Sequence, residues 1–386
     1  MFDADPFDDV SLELLKRRRS AKWATYPPDV LPAWVAETDF ALALPIRESL
    51  LEAVSRDDTG YLEASRLGAA FASFAAARFG WEVDPDRVLL VPDVMSAVAE
   101  LLRVLVGPSE GYVITPPVYP PFFGVAAEVD RRVVEAPLRG ADEGWRLDLD
   151  ALEAAFAGGA RAFLLCHPHN PTGRSYTREE LESVAGLADR YGVTVISDEV
   201  HGPMTMAGAT HIPYVSLGAQ AAAHGVVISS ASKAFNVAGL KCAVVVSASD
   251  DMHERLVAGL PKHLPYHTGH FGVLAALAAF EHGGEWLDAL VTHLDRTRRA
   301  LSELLAEHLP RIRYLEPQAG YLAWLDCREL ELGDDPAAVF LERGKVALSP
   351  GPTFGEPGKG FARLNIGTSR TLVEEAVRRM ASAVSA

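Results

Sequence analysis

The sequence predicts an α/β protein whose larger domain contains a doubly wound, mainly parallel sheet. Short apolar runs alternate with longer helical patterns through the middle of the chain, and strands covered by helices on both faces have this composition. One helix, over 178–191, begins at a clear signal, the capping box of Thr177 and Glu180. We expect this domain to span residues 46–279.

Each element of that domain is predicted from its own pattern. The strand candidates are short runs, most of them continuously apolar and rich in Val, Ile and Leu, as expected for buried strands. They are residues 88–91, 112–115, 132–135, 162–166, 193–197, 226–229 and 243–247.

The two ends of the chain predict a smaller α+β domain made of residues 1–45 and 280–386. A long helix over 286–309 is followed by short strand candidates, and a last helix begins at a second capping box, Thr371 and Glu374. The N-terminal arm is rich in Pro and Trp and too irregular to fold alone, so we expect it to pack on this domain. The tail strand candidates are 312–315, 321–325, 346–348 and 363–366.

Composition excludes several classes of protein. The 386 residues are 49% hydrophobic and 23% charged, which is ordinary for a globular chain. With 36 basic and 52 acidic residues the net charge is −16, so a nucleic-acid partner is not expected, and the basic cluster 17–19 is interpreted as a solvated helix face. The longest apolar run, 271–280, is too short to span a membrane. An acidic N-terminus and three scattered cysteines indicate a cytoplasmic protein.

Polar side chains of complementary chemistry follow three consecutive predicted strands. Asn170, Asp198 and Lys233 each come after a different one of them. Because the carboxyl ends of parallel strands meet at one edge of a sheet, these groups are expected to converge on a ligand there. The chain has seven lysines, and Lys233 and Lys241 both fall in this region.

This combination suits pyridoxal phosphate. A neutral lysine amine forms a Schiff base with an aldehyde, and the cofactor ring needs a carboxylate at its protonated nitrogen. Ser230, Ser232 and Lys241, with a helix N-terminus, could bind the phosphate. Taken singly, Lys233 is also typical of a surface lysine, and Asp198 is also typical of a helix cap. The imidazoles near Cys166 are also compatible with a zinc site, although they lack a standard ligand spacing.

The motifs in which these residues lie resemble a known family. HNPTGR (169–174), SDEVH (197–201), SASKAFN (230–236) and RLNIG (363–367) are similar, in order and spacing, to fold-type I pyridoxal-phosphate enzymes of the aminotransferase class I/II superfamily. WVAETDF, TGY, PPVYPPF and RLNIGTSR are most similar to its cystathionine β-lyase branch, the MalY/PatB-like C–S lyases. The resemblance covers nearly the whole chain and implies an aminotransferase-like large domain.

The resemblance also implies roles for residues around the cofactor ring. Lys233 resembles the Schiff-base lysine, which later moves the α-proton, and Asp198 the partner of the ring nitrogen. Asn170 would bind the phenolic oxygen of the ring, and His201 lies where related aminotransferases have a tyrosine near that oxygen. Tyr119 resembles the aromatic residue that stacks on the ring.

Further roles concern the phosphate and the substrate. Arg363 resembles the arginine that binds the substrate carboxylate, and Tyr61 a tyrosine that reaches the phosphate from a second subunit, which implies a homodimer with shared sites. Asp93 departs from the pattern, because a small or uncharged residue is usual there. The remaining phosphate contacts that the resemblance implies are the backbone of Val94 and Met95 and the side chains of Ser230, Ser232 and Lys241.

The function that the resemblance implies is cleavage of an S-substituted cysteine, of which cystathionine is the type substrate, to pyruvate, ammonia and a thiol. An aminotransferase is the alternative, because both reactions share the same carbanion. A pyridoxal-phosphate-binding regulator is a more distant alternative, since no basic DNA-binding extension is present. We expect a small amino-acid substrate and neither a nucleic-acid nor a membrane partner.

Overall fold

The computed structural model describes residues 7–385. Its strands are β1 Leu31–Pro32, β2 Val88–Val91, β3 Gly111–Ile114, β4 Arg132–Glu135, β5 Ala160–Cys166, β6 Thr194–Asp198, β7 Gly225–Ser229, β8 Ala243–Ser247, β9 Arg313–Tyr314, β10 Leu322–Asp326, β11 Val346–Ala347, β12 Ser349–Pro350 and β13 Phe361–Asn365. Its α-helices are α1 Leu12–Leu15, α2 Ala21–Ala24, α3 Leu44–Ser55, α4 Leu67–Phe79, α5 Val94–Leu105, α6 Pro121–Val129, α7 Leu149–Ala157, α8 Arg178–Tyr191, α9 Ala219–His224, α10 Ala231–Ala234, α11 Asp250–Gly259, α12 His270–His282, α13 Gly284–His308, α14 Pro336–Gly344 and α15 Arg370–Ser385.

The larger sheet has seven strands in the order β2-β8-β7-β6-β5-β3-β4. The strands from β7 to β4 pair in parallel, and β8 runs antiparallel to both of its neighbours. The α/β class with a mainly parallel sheet, predicted from the apolar runs, is therefore confirmed.

The apolar runs arise because both faces of this sheet are buried. Along β5, Phe163 and Leu165 belong to one hydrophobic core, whereas Ala162 and Leu164 belong to the other. Successive strand residues point to opposite faces, so a sheet with two covered faces needs apolar residues at both sets of positions. This arrangement leaves the polar chemistry to the strand ends.

The smaller sheet is antiparallel, in the order β12-β13-β10-β9. The N-terminal arm contributes β1 to a separate two-stranded sheet, in which β1 pairs in parallel with β11 and Leu31 lies opposite Val346. The expected domain boundaries stay a prediction, and residues 1–6 and 386 of the smaller domain lie outside the described residues. Within residues 7–385 no helix is long and apolar enough to cross a membrane.

Two local predictions were wrong. Arg18 is not on a solvated helix face, because its guanidinium donates to the carbonyl oxygens of Thr38, Asp39 and Phe40. The last helix, α15, begins at Arg370 rather than at a Thr371 cap, and the carbonyl of Ser369 accepts its first hydrogen bonds. The capping box at Thr177 and the bounds of α8 match the prediction.

Candidate active site

The register of the large sheet brings the three predicted strand ends together. Cys166 at the end of β5 is opposite Asp198 at the end of β6, which is opposite Ile228 near the end of β7. The segments carrying Asn170 and Lys233 follow directly from β5 and β7. Three consecutive parallel strands therefore deliver an amide, a carboxylate and an amine to one edge.

Two adjoining cavities lie at this edge. The more enclosed of the two, of about 120 Å³, has Asn170, Asp198, His201 and Arg363 in its wall. An open cavity of about 380 Å³ is lined by Ser230, Ser232 and Lys241, among others. The residues common to both walls, which make the two cavities one continuous site, are Val94, Met95, Tyr119 and Lys233.

Lys233 lies in the short helix α10, directly after β7. Its Nζ is within 3.2 Å of the carbonyl oxygen of Ala36, to which it donates a hydrogen bond. Burial lowers the pKa of Lys233, and the Arg363 cation lowers it further, whereas Asp198 and Glu37 oppose the shift. A buried amine with a lowered pKa is the form in which lysine acts as a nucleophile or base.

Asp198 is a buried carboxylate that lacks a full set of partners. Its Oδ1 accepts a 3.2 Å hydrogen bond from the backbone N–H of Val200. Burial raises the pKa of Asp198 to about 7, and the Val200 bond and the Lys233 charge only partly oppose this. A carboxylate in this position is suited to a cationic partner, and the protonated ring nitrogen of pyridoxal phosphate is such a group.

His201 lies next to these groups as a neutral imidazole. Burial lowers its pKa to about 3, and the charges of Lys233 and Arg363 act in the same direction. A neutral imidazole can donate one hydrogen bond and accept another, so His201 is able to contact a ring oxygen without adding charge. Its predicted contact with that oxygen stays a prediction.

Arg363 is held in place from several sides. Its Nη1 donates to Asn170 Oδ1 at 2.9 Å, and its Nη2 donates to the Trp34 carbonyl at 2.9 Å and to Ser349 Oγ at 3.0 Å. Burial lowers the pKa of Arg363 to about 10, so the guanidinium remains charged at neutral pH. Its buried Nε has no partner, which suits an additional anionic acceptor such as a carboxylate.

The phosphate end of the site is formed by the start of α5 and the loop after β7. Lys241 Nζ is 2.9 Å from Asp93 Oδ2, and Asp93 Oδ1 accepts from the backbone N–H of Ser96 at 2.8 Å. Asp93 therefore caps α5. The Ser230 hydroxyl donates to the carbonyl of Cys242 at 2.7 Å, so contact with a phosphate would replace that bond.

Tyr61 is the one predicted site residue that the fold keeps away from this pair of cavities. Its side chain is 98% exposed, and it is absent from both cavity walls. A role within its own subunit therefore has no support in the fold, and its expected role toward a second subunit stays a prediction.

Sequence reasoning identified WVAETDF as a motif but assigned no role in the site to residues 34–39, which we call the strap. The Ala36 carbonyl accepts hydrogen bonds from Lys233 Nζ and, at 3.1 Å, from the Tyr321 hydroxyl. Asn365 Nδ2 donates to the carbonyls of Val35 and Glu37, at 2.6 Å each. The strap works through backbone oxygens, which have no side-chain signature, although Asn365 within RLNIG was a signal that could have found it.

The histidines near Cys166 have other partners. His167 Nε2 is 3.2 Å from the carbonyl oxygen of Ile212, and His169 Nδ1 is 3.1 Å from Thr172 Oγ1. Among the residues that the structure describes, no group of three or more His, Cys, Asp and Glu residues could hold a metal ion.

Comparison with known proteins places this geometry in a family. The model of the family "Aminotransferase class I and II" matches residues 31–380. A Mycobacterium tuberculosis protein, named provisionally as a cystathionine β-lyase, is 41% identical over 97% of both chains. Cystathionine beta-lyase PatB of Bacillus subtilis is 33% identical over 92% of this chain and 93% of its own.

Solved structures agree with the sequence comparisons. A Corynebacterium diphtheriae protein, named provisionally as a PLP-dependent beta-cystathionase, superposes with a TM-score of 0.92 at 34% identity and covers 97% of this chain and 98% of its own. The resemblance drawn from the motifs is confirmed. The chain belongs to the aminotransferase class I and II family and, within it, to the pyridoxal-phosphate-dependent C–S lyases of the cystathionine β-lyase type.

Proposed function

We propose that this enzyme cleaves the Cβ–S bond of an S-substituted cysteine of the cystathionine type, at the site centred on Lys233. The observation that carries the proposal is the convergence of an amine, a carboxylate, an amide and a guanidinium on one cavity: Lys233, Asp198, Asn170 and Arg363. When bound, pyridoxal phosphate supplies an aldehyde for a lysine or substrate amine and an electron-accepting ring for the charge released at Cα.

In this proposal Arg363 orients the substrate. Its guanidinium is fixed by Asn170, Trp34 and Ser349, and its unpartnered Nε is available to a carboxylate. A fixed, buried cation selects an α-carboxylate and holds the rest of the amino acid in one orientation toward Lys233.

Lys233 moves the proton. Burial and the Arg363 charge lower the pKa of its amine, so a larger fraction of it is neutral and able to accept the proton from Cα. Loss of that proton lets the sulfur leave Cβ with the electron pair of the C–S bond. The net reaction uses one water and yields the thiol, pyruvate and ammonia.

Asp198 stabilises the charge distribution on which this step depends. Its carboxylate is buried and its pKa is raised by that burial, so a cationic ring nitrogen beside it gains a strong partner. Tyr119, in both cavity walls, is the side chain that we assign to stacking on the ring. Asn170 and His201 are assigned to the oxygen of the ring.

The experiment that tests the proposal is a product assay. Purified holoenzyme is incubated with cystathionine and no keto acid, and pyruvate and free thiol are measured. The proposal expects both products in equal amounts, and their loss in Lys233→Ala. Turnover that requires a keto acid and yields no thiol would instead assign an aminotransferase.

We also propose that the enzyme is a homodimer in which Tyr61 completes the site of the partner subunit. Tyr61 is 98% exposed, and the preceding helix α3 exposes Leu44, Leu51 and Val54 by 61%, 62% and 61%. Mixing Lys233→Ala subunits with Tyr61→Ala subunits tests this, because a hybrid dimer would contain one native site. Activity recovering to about a quarter of wild type is expected, and no recovery in verified hybrid dimers would refute the shared site.

We propose a cytoplasmic location for the reaction. Cys166, Cys242 and Cys327 carry free thiols, the state that a reducing compartment maintains.

A further inference from the structure

The open cavity assigned to the cofactor phosphate has an unusual balance of charge for an anion site. The charged side chains in its wall are Lys233, Lys241, Asp93 and Glu128, so two carboxylates offset two lysines. Glu128 is engaged by Arg103 at 3.3 Å, whereas Asp93 is paired with Lys241 inside the site. A phosphate group adds between one and two further negative charges at neutral pH.

Asp93 occupies two donors of the kind that a phosphate needs. One carboxylate oxygen accepts from the Ser96 backbone N–H at 2.8 Å, in the first turn of α5, and the other accepts from Lys241 Nζ at 2.9 Å. Free backbone N–H groups in the first turn of a helix and nearby ammonium groups are the usual anion donors. A carboxylate that already binds both kinds of donor competes with the phosphate.

The carboxylate remains ionised in this setting. Burial opposes the ionisation of Asp93, but the hydrogen bond from Ser96 and the contact with Lys241 outweigh it and lower the pKa of Asp93. The cavity therefore retains the negative charge of Asp93 at neutral pH, where the phosphate is also charged.

We propose that Asp93 weakens the binding of pyridoxal phosphate by competing with its phosphate group for Lys241 and the start of α5. This inference rests on the proposed function, because it requires the phosphate to lie in the open cavity. Asp93 is then an affinity-determining residue, and the fraction of enzyme that holds cofactor depends on the concentration of free cofactor.

The test is cofactor binding to the apoprotein, measured by equilibrium dialysis for wild type and Asp93→Asn. Asparagine caps a helix as well as aspartate does, so α5 keeps its cap while the charge is lost. We expect the Kd for pyridoxal phosphate to fall about tenfold, which is about 1.4 kcal/mol. The Kd for pyridoxal, which has no phosphate, should stay unchanged.

Asp84→Asn is the matched control. Asp84 also caps a short helical turn, accepting from the Asp86 backbone N–H at 3.0 Å, and it also contacts a cation, Arg87, at 3.5 Å. It is outside both cavity walls, so its substitution should leave both Kd values unchanged.

Each outcome separates this inference from the proposed function. An unchanged or higher Kd for pyridoxal phosphate in Asp93→Asn would overturn the inference. Asp93 would then have no effect on phosphate binding, or would assist it by orienting Lys241. An equal gain for pyridoxal would also overturn it. Should thermal unfolding show that Asp93→Asn is misfolded, Asp93→Ser gives the same comparison. Failure of folded wild-type protein to bind the cofactor would refute the proposed function instead.

Discussion

The buried carboxylate of Asp198 makes a quantitative prediction about the apoprotein. Burial raises its pKa from the ordinary 3.8 to about 7, a change that corresponds to about 4 kcal/mol in favour of the neutral carboxyl. Because the pKa in the folded state is above that of the unfolded chain, the folded state retains a proton that the unfolded chain has lost. The free energy of unfolding therefore falls as the pH rises from about 4 to about 7, and at higher pH the whole loss of about 4 kcal/mol remains.

Asp198→Asn removes this cost in the apoprotein. The amide can keep the hydrogen bond from Val200, but it adds an N–H group that needs a partner, which offsets part of the gain. We expect the free energy of unfolding to rise by about 2–3 kcal/mol at about pH 8, and by much less at about pH 5. Urea denaturation of the two apoproteins at both pH values measures the difference.

The holoenzyme should respond in the opposite direction. Loss of a charge-assisted bond to the ring nitrogen costs about 1.5–3 kcal/mol, so cofactor affinity should fall about tenfold or more in Asp198→Asn. Asp150→Asn, at a side chain 93% exposed, is the control and should change stability by less than about 0.5 kcal/mol. An apoprotein of Asp198→Asn that is no more stable than wild type at pH 8 would refute the reasoning about burial.

Three further predictions concern the strap and Arg363, the cation that we propose binds the substrate carboxylate. Asp39→Ala leaves Lys22 buried without its 2.8 Å partner, so the free energy of unfolding should fall by about 3–5 kcal/mol in urea denaturation. Asn236→Gly removes the two hydrogen bonds between the Asn236 side chain and the Thr38 backbone, which measure 3.0 and 2.9 Å. Glycine tolerates the backbone φ of 56° at position 236, so the substitution adds no backbone strain. Amide hydrogen exchange in the strap should become about tenfold faster. Arg363→Lys should raise the KM for cystathionine more than it lowers kcat, because an ammonium lacks the planar fork.

Each of these predictions has a contradicting result. A loss below about 1 kcal/mol in Asp39→Ala would mean that Lys22 finds another partner or water. Unchanged exchange at Thr38 would mean that Asn236 does not hold the strap. A fall in kcat with an unchanged KM would place Arg363 in the chemical step rather than in substrate binding.

Much of the large domain was predictable because its physics is local. β2, β4 and β8 have the predicted bounds, since each is an apolar or β-branched run between turns. The helix α8 was predicted to the residue because its capping box is contained in four consecutive positions. A structural element whose signal depends only on neighbouring residues in the sequence can be predicted from a single sequence.

The candidate site was partly predictable for a related reason. Asn170, Asp198 and Lys233 follow consecutive strands, and a parallel sheet brings such ends together whatever the details of packing. Their individual roles came from the motifs in which they lie.

The contacts that sequence reasoning missed join residues that are far apart in the sequence. They are made by short strands, backbone oxygens and side chains that no sequence pattern marks as partners. The pairing of Leu31 with Val346 involves two-residue strands, too short to carry a period. The acceptor for Lys233 is the backbone oxygen of Ala36, which any residue would supply. The pair of Lys241 with Asp93 depends on where β8 is placed beside β2, which is a property of the tertiary fold.

The most direct test of the account is to locate the cofactor on the chain. Holoenzyme is reduced with borohydride, digested, and analysed by peptide mass mapping. The account predicts a phosphopyridoxyl group on Lys233, at the edge where β5, β6 and β7 end. Attachment to Lys241 or to any other lysine, with Lys233 unmodified, would contradict it.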